Sequence, residues 1–289
     1  MGEATLRVGG INCVGTLPDY RRFGLGSKVM AAAHQTMRDL GCQVGLLSTG
    51  ITNWYRRMGW EEAGDARSYH LNRGNIALLP QLRPGLQLRF VEISELAVND
   101  EEVVAQILGQ ILGLYHTARV GATRTVQTFR QLVTARDMKR IAVAEGARGI
   151  AAYLLLRDHV IYEWAGAAAE VAGLARAVYE ALDDPNASTS LRASDGGSLL
   201  LRTLTLQTPG WGHPLLNLLD ARQIPHNSEY MGMLYLVDPQ GVLDAYGLAD
   251  VQLESAGDQF IVRASEGTLT LDRRQLTKLF FGPERVSDL

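Results

Sequence analysis

Metal ligands, disulfides and membrane spans have little to build on in this sequence. Its 289 residues contain two cysteines, Cys13 and Cys42. Two thiols make neither a metal-ligand spacing nor a disulfide framework, so both read as small buried hydrophobes. Six histidines (His34, His70, His116, His159, His213, His226) are scattered, with no HxxxH or HExxH pair, and no metal site is expected. No apolar run reaches the ~18 residues of a membrane-spanning helix. The formal net charge of −3 gives no reason to expect nucleic acid or an anionic membrane as partner. Met1-Gly2-Glu3-Ala4 lacks the basic and apolar regions of a signal peptide, and Leu6 stands where N-myristoylation wants Ser or Thr. The expected location is therefore cytoplasmic. At 46% hydrophobic and 20% charged, the composition is ordinary for a folded chain, and the length suits one large domain or two to three small ones.

What is present starts near the N-terminus. A strand-like run, Ile11 to Thr16, ends at Pro18, and a basic turn with two glycines follows. A helix then opens, with Leu25, Val29, Ala32, Ala33, Met37 and Leu40 at helical spacing and Gly41 as its C-terminal glycine. Strand, glycine turn and helix surround an anion with unpaired backbone N–H groups and the positive end of a dipole. Gly24 and Gly26 allow close backbone approach, and Arg21 and Arg22 add charged donors. The expected anion is a pyrophosphate. By itself Gly-x-Gly also fits an ordinary strand-to-helix turn.

Further on, Val44 to Ser48 reads as a buried strand, Thr52 to Met58 as one or two helical turns, and Trp60 to Leu71 as a strand. Gly74 to Gly85, with Pro80 and Pro84, reads as a connection. From Leu86 to Val237 the periodicities give β-α-α-β-β-β-α-β-α-β, including a hairpin at Asp158-His159 and a helix starting near Thr125. The remainder reads as a helical turn (Val242 to Tyr246), two strands (Asp258 to Ala264, Thr268 to Leu271) and a helix (Arg273 to Phe281). Some fifty residues make a marginal core alone, so this tail is expected to pack on the middle domain.

Two motifs carry a family resemblance. Arg21-x-x-Gly24-x-Gly26 fits the R/Q-x-x-G-x-G/A signature of the GNAT acyltransferase superfamily. Asn53-Trp54-Tyr55-Arg56-Arg57-Met58-Gly59-Trp60 resembles its N-x-Y-x-x-x-G-F/W motif. The element order from Leu86 to Val237 is that of a complete GNAT domain, but Ala165-Gly166-Ala167-Ala168-Ala169 stands where its phosphate turn belongs, and Glu170 would oppose a pyrophosphate. A GNAT domain, a degenerate second one and a small α+β tail resemble the Eis-type (enhanced intracellular survival) acetyltransferases, whose tail is similar to a sterol-carrier-protein fold. The implied fold class is α/β (α+β), with tandem GNAT-like mixed sheets flanked by helices. The implied domains are 1–79 (partial GNAT), 86–237 (degenerate GNAT-like) and 238–289 (short sterol-carrier-protein-like portion). Too few residues precede Ile11 for the first half of a GNAT domain, which normally walls the acceptor pocket. Either the chain is truncated or another chain supplies that wall.

The resemblance implies acetyl transfer from acetyl-CoA, used as a co-substrate without a metal, to an amine of a small molecule or lysine by direct attack. Val14, Gly15 and Thr16 would pair with the pantetheine arm. Arg21, Arg22, Phe23, Gly24, Leu25, Gly26 and Ser27 would hold the pyrophosphate, and Asn53 would lie near the pantetheine. Tyr55 is the candidate general acid, since a phenol of pKa about 10 is protonated at neutral pH. Its plainer reading is a packed ring with a local hydrogen bond. The C-terminal carboxylate, as base in Eis-type enzymes, would be that of Leu289. Arg56-Arg57 could meet the 3′-phosphate or form a solvated helix face. Glu61-Glu62 could attract an amine or end a surface strand. Trp211 and His213 read as packing or caps. A homo-oligomer is expected by analogy. The alternative function is a non-catalytic CoA-binding or scaffold protein, or an inactive fragment.

Overall fold

A computed structural model of the chain describes residues 4–94, 96, 101–117, 121–184, 203–210, 212–257 and 259–282. In chain order the elements are β1 (Val8–Gly10), α1 (Leu25–Asp39), β2 (Val44–Leu47), α2 (Thr52–Arg56), β3 (Glu61–Leu71) and β4 (Gln87–Glu92). There follow α3 (Glu101–His116), α4 (Val126–Ala135), β5 (Arg140–Gly146), β6 (Gly149–Arg157), β7 (Val160–Gly166), α5 (Ala168–Asp183) and β8 (Leu204–Pro209). The chain continues with α6 (Pro214–Ala221), β9 (His226–Leu236), α7 (Pro239–Tyr246), β10 (Gln252–Ala256), β11 (Gln259–Ala264), β12 (Gly267–Asp272) and α8 (Arg273–Phe281). Both α/β character and helix-flanked mixed sheets are as expected. The chain clusters into two compact units, Met1–Asp65 with Tyr230–Leu289, and Ala66–Glu229.

In the first unit β1 runs parallel to β2, and β2 antiparallel to β9. Strand alternation sorts the side chains into two cores. Leu47, Met233, Tyr235 and Val237 pack with Met30, Met37, Tyr55 and Trp60. On the opposite face Val44, Leu234 and Leu236 pack with Ala63, Phe260, Val262, Leu271 and Leu276. The tail therefore packs within the first unit, on β9, which lies in the span 86–237 expected to receive it, and also on β2, which lies outside that span. Its three-stranded antiparallel sheet includes β10, which the sequence reading missed. The tail adds its own apolar strand face and the helix α8, which is closed at its start by an Asp272–Gln275 capping box.

Helix α1 ends where Gly41 predicted. Gly41 has φ 65°, its N–H donates to the Arg38 carbonyl and the Cys42 N–H to that of Met37, both at 2.9 Å. Its buried face is only partly the one expected: Met37 is buried, but Val29 and Leu40 are not. Met30, His34 and Met37 are buried, whereas Val29 and Leu40 are each 58% exposed. The i, i+4, i+7 row through Met30 meets Trp60 and Tyr235, and the neighbouring apolar row does not. The strand-like run expected over Ile11 to Thr16 is not a strand, and the strand here is β1, which ends at Gly10. Cys13 at φ 56° is left-handed and cannot continue an extended run.

The second unit shows the predicted order, β4-α3-α4-β5-β6-β7-α5-β8-α6-β9, in which β9 carries the chain onward. Strand order is β3-β8-β7-β6-β5-β4, with β7 and β8 parallel and the other neighbours antiparallel. Along β6, Ala152, Leu154 and Leu156 enter the core under α5 and α6, while Tyr153 and Leu155 enter the core under α3 and α4. The β6–β7 hairpin turns at Asp158-His159, and α4 is capped by Thr125 in a reciprocal box with Thr128.

The two rows of α1 give a direct test. Met30→Ala is expected to lower stability by about 2–5 kcal/mol, as large-to-small core changes do. Val29→Ala should stay within about 0.5 kcal/mol, as exposed substitutions do. Urea unfolding of both variants checks the assignment, and equal effects would overturn it.

Candidate active site

The glycine turn is built by three left-handed or open backbone positions. After Ile11, whose N–H donates to the Leu46 carbonyl at 2.9 Å, the chain turns at Cys13. Among the described residues, the backbone N–H and C=O groups of Val14 and Gly15 make no hydrogen bond to other backbone. A single 3₁₀ turn, Pro18–Tyr20, redirects the chain, and Arg21 Nε donates back to the Thr16 carbonyl at 3.1 Å. Arg22 (φ 70°) and Gly24 (φ 72°) are both left-handed, and Gly24 is the N-cap of α1. Lys28 N–H donates to the Gly24 carbonyl at 3.1 Å. The N–H groups of Leu25, Gly26 and Ser27 make no backbone hydrogen bond among the described residues, and no acidic side chain stands in that first turn. This leaves three orphan donors at the positive end of a 15-residue helix.

Gly26 answers to packing. A Cβ there would lie 3.1 Å from Cζ2 of Trp54, so the two motifs touch. Helix α2 carries Trp54 and Tyr55 side by side. The Tyr55 ring is 5% exposed, edge-on to Trp54 at 4.7 Å and to Trp60 at 6.3 Å. Burial raises its pKa above the usual 10.0, and its hydroxyl has no hydrogen-bond partner among the described residues. Asn53 is exposed and accepts from Arg56 Nη1 at 3.4 Å.

The two acid–base pairs of the sequence reading meet each other. Arg56 Nε donates to Glu61 at 2.7 Å and Nη2 to Glu62. Glu61, 5% exposed, also has Arg274 Nη1 at 3.7 Å. Arg56 thus holds a buried carboxylate in place, and the Glu61-Glu62 charges are neutralised within the unit.

His34 was not singled out in the sequence. Its Nε2 accepts from the Trp60 indole N–H at 2.9 Å, and its ring stacks on Tyr235 at 4.1 Å and 5°. Burial first, then the charges of Arg38 and Arg273, lower its pKa from 6.5 to about 4. The signal available was its place in the Met30-His34-Met37 row.

The equivalent strand–helix junction in the second unit is differently equipped. Strands β7 and β8 pair at only two positions, Val160↔Thr205 and Ile161↔Leu206. Beyond them the Trp164 indole N–H donates to the Gln207 carbonyl at 3.0 Å. Helix α5 starts at an Ala167 N-cap with Glu170 in its first turn, 3.4 Å from Arg83. His213 caps α6, its Nδ1 accepting from Leu215 N–H at 3.0 Å, and its ring meets Trp164 edge-on. Trp211 and Leu289 lie outside the described residues. Among the described residues no group of three or more His, Cys, Asp or Glu could hold a metal ion, and no helix is long and apolar enough to cross a membrane.

Residues 1–63 match the model of the acetyltransferase (GNAT) domain. The chain is similar in structure to a GCN5-related N-acetyltransferase from Kribbella flavida, with TM-score 0.51, 16% identity, and coverage of 91% of this chain and 65% of that one. A GCN5-related N-acetyltransferase from Anabaena variabilis gives TM-score 0.54 at 15% identity, covering 92% of this chain and 67% of that one. Eis1 from Mycobacterium abscessus gives TM-score 0.56 at 14% identity, covering 98% and 75%. The chain thus spans about two thirds of the length of the first two. A comparison with curated protein sequences finds no match. The domain model covers residues 1–63, and the solved structures, at 14–16% identity, share the fold.

His34 makes stability depend on pH in a stated direction. Its folded pKa is depressed, so the unfolded state binds more protons between pH 6.5 and about 4. His34's contribution is full above pH 6.5 and declines as pH falls through that window. Urea midpoints at pH 7 and pH 5 should differ more in the wild type than in His34→Gln, which keeps an acceptor for Trp60 and does not titrate.

Proposed function

We propose that this chain is an acetyl-CoA-dependent N-acetyltransferase acting on an amine of a small molecule or lysine. The observation that carries the reading is the contact of the two motifs at Gly26 and Trp54, which sets the orphan N–H groups of α1 beside the helix bearing Tyr55. Acetyl-CoA supplies an activated acetyl thioester. The N–H groups of Leu25, Gly26 and Ser27 bind its pyrophosphate, with Arg21 anchored on Thr16 and with Arg22 and Phe23 alongside. The backbone of Val14 and Gly15, unpaired among the described residues, with Thr16 next to it, takes the pantetheine arm as a further strand takes a sheet edge, with Asn53 nearby. Tyr55 donates its phenolic proton to the departing sulfur. Burial keeps it protonated, and its hydroxyl has no competing partner among the described residues.

On this reading residues 1–79 are a partial GNAT domain and 86–237 a GNAT-like domain without a cofactor site. Residues 238–289 form a sterol-carrier-protein-like portion of an Eis-type protein. The location is cytoplasmic. A homo-oligomer fits the exposed apolar side chains of Leu17, Tyr20, Phe23 and Val29 around the turn. Sedimentation as a monomer would refute that part.

Calorimetric titration with acetyl-CoA tests the core of the proposal. Saturable binding is expected, weakened about tenfold in Arg21→Ala, the loss of one charge-assisted hydrogen bond. Absence of binding would sink it. Tyr55→Phe should bind acetyl-CoA as the wild type does and lose about 10²-fold or more in kcat with polyamine or aminoglycoside acceptors. Binding without transfer to any amine would instead favour the non-catalytic CoA-binding alternative.

A further inference from the structure

We propose that the second unit contains a guanidinium-binding site whose resident occupant is the chain's own Arg124, and that a free alkylguanidinium group competes for it. Four side chains from four different elements form the box: Tyr115 of α3, Phe129 of α4, Tyr153 of β6 and Glu163 of β7. Arg124 Nη1 donates to one Glu163 oxygen, and both side chains are 15% exposed. The other Glu163 oxygen accepts from the Tyr153 hydroxyl at 2.8 Å, which fixes the plane of the carboxylate. The guanidinium carbon lies 4.4 Å from the Tyr115 ring centroid and 5.8 Å from that of Phe129. A planar cation against an aromatic face, with a carboxylate at its edge, is the recognition chemistry of guanidinium groups.

The box is set by the sheet and helices, whereas its occupant is not. Arg124 stands one residue before the Thr125 cap of α4, in the link from α3. Glu163 faces this side because β7 is irregular. The register shifts between Leu155 and Leu156, which pair with Glu163 and Ile161, so Tyr162 is the extra residue of a bulge. Strict alternation from Ile161, which lies in the core under α5 and α6, would have sent Glu163 to that side as well. A bulge that turns a carboxylate into an aromatic box forms a cation site, and a tethered occupant blocks it against weak external ligands.

The test titrates n-propylguanidinium into the full-length wild type and Arg124→Ala, reading binding heat and thermal midpoint. Saturable binding to Arg124→Ala is expected to be about tenfold or more tighter than to the wild type, where the tether holds the competitor at millimolar effective concentration. Arg124→Ala/Glu163→Gln should lose it. Equal affinity in wild type and Arg124→Ala, indifference to Glu163→Gln, or equally tight n-propylammonium binding would each overturn the assignment. If Arg124→Ala is unfolded alone, recovery of its folded spectrum with the probe supports the site, and failure to recover at the highest probe concentration overturns it.

Discussion

Trp60 is the side chain on which the first unit depends. It is fully buried, and its indole N–H is satisfied by a single acceptor, His34 Nε2. That bond requires His34 to be unprotonated at Nε2, and burial enforces the same state. The ring also closes on Tyr235 of β9 and Tyr55 of α2, and its edge occupies the space a Cβ of Gly45 in β2 would need, at 2.8 Å. One residue thereby positions α1, α2, β2 and β9 against each other. Gly59 serves the same cluster, with φ 86° and its missing side chain making room for Tyr235 and Arg273. A short three-stranded layer has few aliphatic contacts to offer, and large rings of fixed shape supply the core instead.

The two units repeat one pattern, strand–helix–strand–helix–strand with the first two strands parallel, and give it opposite chemistry at the first strand–helix junction. In the first unit the helix begins at glycine, with no acid in its first turn and Arg21 and Arg22 ahead of it. In the second it begins at alanine with Glu170 facing the dipole, and Trp164 spans the opening between the strands through Gln207. A carboxylate at a helix N-terminus supplies from within the chain the negative charge that an anion would otherwise bring. The indole bond satisfies a strand-edge carbonyl of the kind that Val14 and Gly15 leave unpaired. The fold alone therefore does not decide where an anion is held; a few residues at the junction do.

Much of this was readable in advance because it is local. Gly41 as helix terminator, the Asp158-His159 hairpin, the Thr125 cap and the element order from Leu86 to Val237 rest on short-range patterns, and the structure has all of them. What failed was long-range. The row of α1 that is buried depends on Trp60 and Tyr235, the latter some two hundred residues away, so helical spacing alone groups the buried Met37 with the exposed Val29 and Leu40 and leaves out Met30 and His34. Tyr235 belongs to a strand that returns from the far end of the chain and lies beside β2, which is also why the tail's packing on β2 is not legible in the sequence. The ion pair between Arg56 and Glu61-Glu62 was overlooked for a simpler reason. Along the sequence the two groups stand as separate candidates, although Gly59 turns the chain between them.

That ion pair narrows the electrostatics of the site. Arg56 cannot leave Glu61 without leaving a 5% accessible carboxylate to the Glu62 N–H at 3.0 Å and to Arg274 at 3.7 Å. Breaking a buried pair by withdrawing one partner is strongly unfavourable, because the remaining charge stays desolvated. Arg56 is therefore structural, and the charge available to the proposed anion at the turn is that of Arg21, Arg22 and the end of α1. These three sources differ in kind. The helix end is rigid and contributes partial charge. Arg21 is held at Nε by Thr16, with its terminal nitrogens making no bond among the described residues. Arg22 sits at a left-handed backbone position that costs a non-glycine residue roughly 1–2 kcal/mol. A strained arginine beside an anchored one, at the start of an uncapped helix, is a local arrangement that folding by itself would not favour, and an anion gives it a compensating charge.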